Sequence, residues 1–119
     1  MIQIYVDGGT RYGGICLVDD YKFYTICQKR SGIQTNNDLE YLAISFGVDY
    51  ANRKYHDKRV TIYSDSMLAV KQINHKWRTT QERMVDYKNG IIKKINKNTK
   101  IVWCPRDSNL AGVHLEKFY

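Results

Sequence analysis

IYSDSMLAV, Ile62 to Val70, carries the architecture of this chain. With Val60 and Thr61 ahead of it, its first half is β-branched and aromatic and predicts a strand ending at Ser64. Its second half predicts a short helix from Ser66 to about Asn74, so Asp65 falls where a strand gives way to a helix. In open α/β sheets, ligand sites form beyond strand ends and at helix starts. Two other short acidic stretches precede this one: IYVDGGT (Ile4 to Thr10) and TNNDLEYLAI (Thr35 to Ile44). Asp7 sits in an alternating, strand-like stretch, and Glu40 just inside a helix start. Carboxylates from separate elements can meet only if the fold assembles them, and assembling them costs electrostatic energy unless a positive charge lies between. Hard divalent cations such as magnesium prefer oxygen ligands and fill that role. Taken singly, Asp7 and Asp65 could terminate strands and Glu40 could be a helix-dipole carboxylate. Jointly that account is poor, and the pattern predicts a metal site.

The rest of the chain frames these motifs. Met1 to Val6 predicts a first strand ending at Asp7-Gly8-Gly9, and Tyr12 to Val18 and Tyr21 to Gln28 predict two more. Asp19-Asp20 between them suggests a tight hairpin in which Cys16 and Cys27 do not face each other. Lys29 to Gln34 reads as a polar loop. A helix begins near Asn36 or Asn37, with Asn as its cap and Leu39, Ala43, Phe46 and Tyr50 at helical spacing, and fades in the polar run Asn52 to Lys58. After His75 to Thr80 a further helix carries Met84, Tyr87, Ile91 and Ile95 on one face. Thr99 to Cys104 predicts a fifth strand, and Ser108 or Asn109 caps a terminal helix. The order βββαβααβα predicts an α/β fold: a five-stranded mixed sheet with helices packed on it.

At 119 residues the chain is expected to form one domain, residues 1–119, with a core that needs no staples. A net charge of +7 around an acidic site suggests a polyanionic ligand, with nucleic acid first. Cys16, Cys27 and Cys104 form no CxxC pair and lie in apolar strand-like stretches. They read as buried thiols, which fits a reducing, cytoplasmic setting. No signal peptide and no membrane-length apolar run is visible, so no membrane partner is expected.

With these motifs in order, the chain resembles ribonuclease H of type 1 over essentially its whole length. The DGG turn resembles that family's first catalytic motif, TNNDLE its TNN-x-x-E segment, SDS its third motif, and WCPRDSN its late W-x-P-R-x-x-N segment. The resemblance implies an RNase H-like fold and magnesium-dependent endonucleolytic cleavage of RNA in RNA–DNA hybrids, with manganese as a substitute. By motif match Asp7, Glu40 and Asp65 are the metal-binding catalytic carboxylates. Gly8, Gly9, Asn36 and Asn37 contact the hybrid, Thr35 helps hold a DNA-strand phosphate, and Asn109 lies near that pocket. Arg106, ahead of the terminal helix, joins the nucleic-acid contacts. A monomer is expected.

Two departures from the family pattern stand out. The family carries a fourth carboxylate, an Asp, in the first turn of the terminal helix. Counting without a gap lands on Val113, and with a one-residue gap on Gly112; neither binds a metal. His114 is adjacent and could take part of the role as ligand or proton carrier, or could be a surface histidine. Asp107 and Glu116 are weaker substitutes. Second, the basic protrusion many members carry is reduced to His75, Lys76, Trp77 and Arg78, with Trp77 read as a packing residue.

The implied chemistry is an in-line displacement at phosphorus assisted by two metals about 4 Å apart. Asp7 bridges them, with Glu40 on one and Asp65 on the other. Contacts to 2′-hydroxyls would select RNA, and Lys71, Arg78, Lys93 and Lys94 would add salt-sensitive attraction. Of these, Lys93 and Lys94 read first as an ordinary solvated helix face. The alternatives are a hybrid- or RNA-binding domain of the same fold without catalysis, and a nuclease for another nucleic acid such as double-stranded RNA.

Overall fold

The computed structural model describes residues 1–9, 14–27 and 35–118. Within them lie β1 (Ile2–Gly9), β2 (Gly14–Asp19), β3 (Lys22–Cys27), α1 (Asn36–Lys54), β4 (Val60–Ser64), α2 (Met67–Ile73), α3 (Glu82–Lys94), β5 (Thr99–Trp103) and α4 (Leu110–Phe118). A 3₁₀ turn, Arg106–Ser108, leads into α4. The element order is the expected one. Tyr12, Gln28 and the loop expected over Lys29 to Gln34 lie outside the described residues.

The sheet order is β3-β2-β1-β4-β5. β1 pairs antiparallel with β2 and parallel with β4, so it is the central strand, and its last residues, Val6 to Gly9, pair with β2 alone. β5 pairs parallel with β4, and β3 antiparallel with β2. Alternation along β1 sends Ile4 and Val6 to one face and Tyr5 and Asp7 to the other. The first face packs with Leu17 and Ile62 of the sheet against Leu39, Ile44 and Val48 of α1 and Met84 and Ile91 of α3. The second face carries Cys16 and Val18 against Ala111 and Leu115 of α4. Cys16 and Cys104 are buried thiols, as read from the sequence.

Three local details differ from the sequence reading. The β2–β3 turn is Asp20-Tyr21, since Asp19 still pairs with Lys22. Both turn residues have positive φ, 48° and 64°, the pattern whose twist suits a two-residue hairpin. Asp19 stays in the strand because its carboxylate accepts hydrogen bonds from Tyr50, Tyr55 and Lys54. Second, α1 is capped by Thr35 and not by Asn36 or Asn37. Thr35 Oγ1 accepts from the Asp38 amide (3.3 Å) while Asp38 Oδ2 accepts from the Thr35 amide (2.7 Å), a reciprocal capping box. Third, α1 runs on to Lys54 through the polar stretch, where Asn52 Nδ2 donates to the Lys94 carbonyl at the end of α3 (2.8 Å).

Candidate active site

Asp7 lies near the end of β1, on the face that α4 covers. Asp65 follows β4, one residue past Ser64. Ser64 Oγ accepts from the Ser66 amide (3.1 Å), and Ser66 Oγ accepts from the Ala69 amide (3.2 Å) to cap α2. The two serines of the SDS motif thus fix the turn that aims Asp65. Trp103 Nε1 adds a bond to the Asp65 carbonyl (3.2 Å).

Glu40 comes from the first turns of α1 and meets Asp7 because β1 and α1 approach closely. A Cβ on Gly8 would lie 2.5 Å from the Leu39 carbonyl oxygen, a clash with backbone, so only glycine permits this approach. One oxygen from each of Asp7, Glu40 and Asp65 lies within 4.8 Å of the others. With Gly8, Gly9, Asn36 and Arg106 they line a cleft of about 200 Å³.

The electrostatics of this cluster are unsatisfied. Burial, then the charge of Asp65, pushes the Asp7 carboxyl up to about 7, against the Gly8 amide and the Arg106 guanidinium. Burial and the charges of Asp7 and Asp65 push Glu40 up to about 9. Burial also raises Asp65, although a hydrogen bond from Asn109 and the charge of Arg106 oppose it. Glu40 Oε2 is buried and has no hydrogen-bond partner. An orphaned carboxylate oxygen facing two more carboxylates is a donor set that fits a hard divalent cation.

The RNase H family model matches residues 1–109. The chain belongs to the RNase H family. Solved structures with the same fold include RNase H1 from the halophilic archaeon Halobacterium salinarum NRC-1. That match has TM-score 0.72 and 22% identity and covers 96% of this chain and 92% of that one. LC11-RNase H1, isolated from compost by a metagenomic approach, gives TM-score 0.67 and 27% identity over 96% of this chain and 91% of its own. The same protein in complex with an RNA/DNA hybrid gives TM-score 0.66 and 22% identity, covering 97% and 93%. Among curated proteins, none matches the sequence.

In this RNase H fold, Asp7, Glu40 and Asp65 converge as their spacing predicts, and Gly8, Gly9, Asn36 and Arg106 surround them. Asn37 is exposed on the first turn of α1. The Thr35 hydroxyl is engaged with Asp38, as cap acceptor and as donor to Oδ2 (2.8 Å).

Two expected site residues are placed differently. Asn109, expected beside a nucleic-acid pocket, is 0% exposed and cannot touch a ligand. Its Nδ2 donates to the Val6 carbonyl (2.9 Å) and to Asp65 Oδ2 (3.2 Å), and its Oδ1 accepts from the Ala111 amide (3.1 Å). It caps α4, ties it to β1 and orients Asp65. His114 does not join the carboxylates; its ring stacks on Phe23 of β3, centroids 3.9 Å apart. The cause is helical geometry: Gly112 of α4 lies against the cluster, where a Cβ would stand 3.2 Å from Asp7 Oδ2. Two residues on, the helix has turned by about 200°, which carries His114 to the other side. Away from the site, Trp77 is 46% exposed and so not the packing residue expected, and Lys94 is held by Asp49 (3.1 Å).

Proposed function

We propose that this member of the RNase H family is a divalent-metal-dependent endonuclease that hydrolyses the RNA strand of RNA–DNA hybrids. The observation that carries the reading is the trio Asp7, Glu40 and Asp65, drawn together with Glu40 Oε2 buried and unpartnered. A domain that only bound nucleic acid would gain nothing from clustered negative charge beside a phosphate. The hybrid is the substrate class that LC11-RNase H1, of the same fold, is seen to hold.

Asp7, Glu40 and Asp65 would hold magnesium, with manganese as a substitute, in a two-metal arrangement. Bound there, the ions supply water activation, charge neutralisation at phosphorus and stabilisation of the leaving oxygen. The chain does the rest. Asp7, beside both other carboxylates, would share with them in holding the ions. Asn109 holds Asp65 in one orientation. Gly8 and Gly9 leave the cleft floor open for close approach of a sugar–phosphate backbone. Asn36 offers a donor and an acceptor at the rim, suited to a 2′-hydroxyl. Arg106 lines the same cleft and would offer its guanidinium to a phosphate. Such contacts read sugar and phosphate and carry no base information, so cleavage is expected to tolerate sequence. The net charge of +7 adds salt-sensitive attraction.

The test is cleavage of hybrid end-labelled on the RNA strand, with magnesium or manganese, for wild type and Asp7→Asn. Metal-dependent cutting of RNA that vanishes in the variant is expected. Binding without cutting under either metal would replace the nuclease with a binding domain, and equal cutting of double-stranded RNA would change the substrate.

A further inference from the structure

The fourth carboxylate is missing from the first turn of α4, where Gly112 and Val113 stand. Gly112 packs against the trio, its absent Cβ 3.2 Å from Asp7 Oδ2 and 3.6 Å from Asp65 Oδ2. Viewed down the helix at about 100° per residue, Val113 lies about 100° from Gly112, and Glu116 only about 40° from it. Glu116 therefore sits one turn further on and between the two positions that a carboxylate could have occupied. The Cα–Cβ bonds of a helix tilt toward its N-terminus, so a side chain covers the turn before its own Cα. For Glu116 that turn contains Gly112, which has no side chain in the way.

Two further observations point the same way. Glu116 Oε1 lies 3.9 Å from Nε of Arg106, a residue that lines the carboxylate cleft. The negative charge of Glu116 is also felt by both Asp7 and Asp65. Asp107, on the 3₁₀ turn, and Glu116 are both exposed, but it is the Glu116 carboxylate that faces the Arg106 guanidinium.

We propose that Glu116 is the fourth oxygen donor of the metal centre: its longer side chain reaches back one turn to replace the missing Asp, and it exchanges Arg106 for a divalent cation when one binds. This rests on the reading of the trio as a metal centre. The guanidinium stays in the lining of the cleft beside the carboxylates.

The probe is Mn²⁺ alone, titrated into wild type, Glu116→Gln, Arg106→Gln and the double variant, with the free aquo-ion followed by EPR. Circular dichroism confirms that each variant is folded. Glu116→Gln is expected to weaken Mn²⁺ binding by about tenfold or more. The loss should persist when Arg106 is also removed, because a ligand has gone. An isotherm unchanged by Glu116→Gln overturns the proposal. So does a loss that disappears in the Arg106→Gln background, which would mean that Glu116 only restrains the arginine. Asp7→Asn separates the two readings: if it too leaves the isotherm unchanged, the metal centre itself is wrong, whereas a loss with Asp7→Asn alone removes only Glu116.

Discussion

Asp7 and Asp19 are both buried carboxylates on adjacent strands, at opposite ends of one antiparallel ladder, and their chemistry is opposite. Asp7 is 7% exposed and Asp19 2%. Burial pushes both up, yet Asp19 ends below its ordinary value. Its Oδ2 accepts from Tyr50 (2.6 Å), Tyr55 (2.7 Å) and Lys54 (3.2 Å), which outweighs the burial. Asp7 has one backbone amide and the charge of the Arg106 guanidinium, with two more carboxylates beside it. Burial alone marks neither a functional nor a structural acid. The number of donors facing it separates the two: a satisfied carboxylate holds the fold, and an unsatisfied one waits for a cation.

Asp7→Asn breaks the comparison most severely. Cleavage should fall by at least about 10²-fold, more than 2.7 kcal/mol of transition-state stabilisation. Its effect on stability has the other sign. A raised carboxyl favours the folded state below its unfolded value of 3.8, and that advantage is lost as pH rises toward about 7. Above that, the metal-free wild type carries a repulsion that Asn removes. In EDTA at pH 8 the variant should melt roughly 5 °C higher than wild type. Added magnesium should raise the wild-type melting temperature and leave the variant unmoved. A variant that melts lower in EDTA would mean that the cluster is satisfied by the protein alone.

Asp19→Ala should do the reverse. It leaves the buried Tyr50 hydroxyl and the part-buried Tyr55 hydroxyl without their acceptor and Lys54 without its carboxylate, for a loss of roughly 3 kcal/mol. Hybrid cleavage per folded molecule should stay at the wild-type level below the melting range. Since the folded Asp19 titrates below 3.8, its contribution is present above that value and is lost as pH falls through the folded pKa. The variant should therefore lack that part of the acid-unfolding limb, and denaturant melts from pH 2 to 7 would show it.

This contrast also explains what was legible in the sequence. Asp7, Glu40 and Asp65 stand at strand ends and a helix start, positions at which periodicity exposes a polar residue without a structural task. Asp19 hides because its donors, Tyr50, Lys54 and Tyr55, lie more than thirty residues away, so only the tertiary fold gathers them. Beside Asp20 it read as half of a turn. The α1 cap misled for a local reason: Asn36 and Asn37 are good capping residues in isolation, but Asp38 can complete a box only with Thr35. Asn109 showed itself as a cap from its type and place. Its two inward bonds to β1 and Asp65 depend on how α4 lies across the sheet, which no spacing encodes.

Asn109→Ala sharpens the comparison because Asn109 is the side-chain amide donor that Asp65 has and Asp7 lacks. Its removal frees the Val6 carbonyl and the Ala111 amide and should cost roughly 2 kcal/mol in thermal or urea melts. It should also push Asp65 further up, since that hydrogen bond lowers it. The magnesium concentration for half-maximal cleavage should then rise, most steeply at low pH. A stability loss with an unchanged metal requirement would reduce Asn109 to a cap.

His114 provides the smallest effect and the cleanest assignment of a residue to one end or the other. Its ring lies on Phe23, which pairs with Val18, next to Asp19 in the ladder. By packing, His114 belongs with the structural end of the sheet, although in sequence it stands two residues from Gly112 at the carboxylates. Replacing it with Ala should remove a stacked ring pair and cost roughly 1 kcal/mol in stability. The cleavage rate at saturating metal should change by less than about twofold, since this ring lies on the side of α4 turned away from the trio. A rate that falls and loses one limb of its pH profile in His114→Ala, with stability intact, would move the histidine to the catalytic end and require α4 to rotate when the hybrid binds.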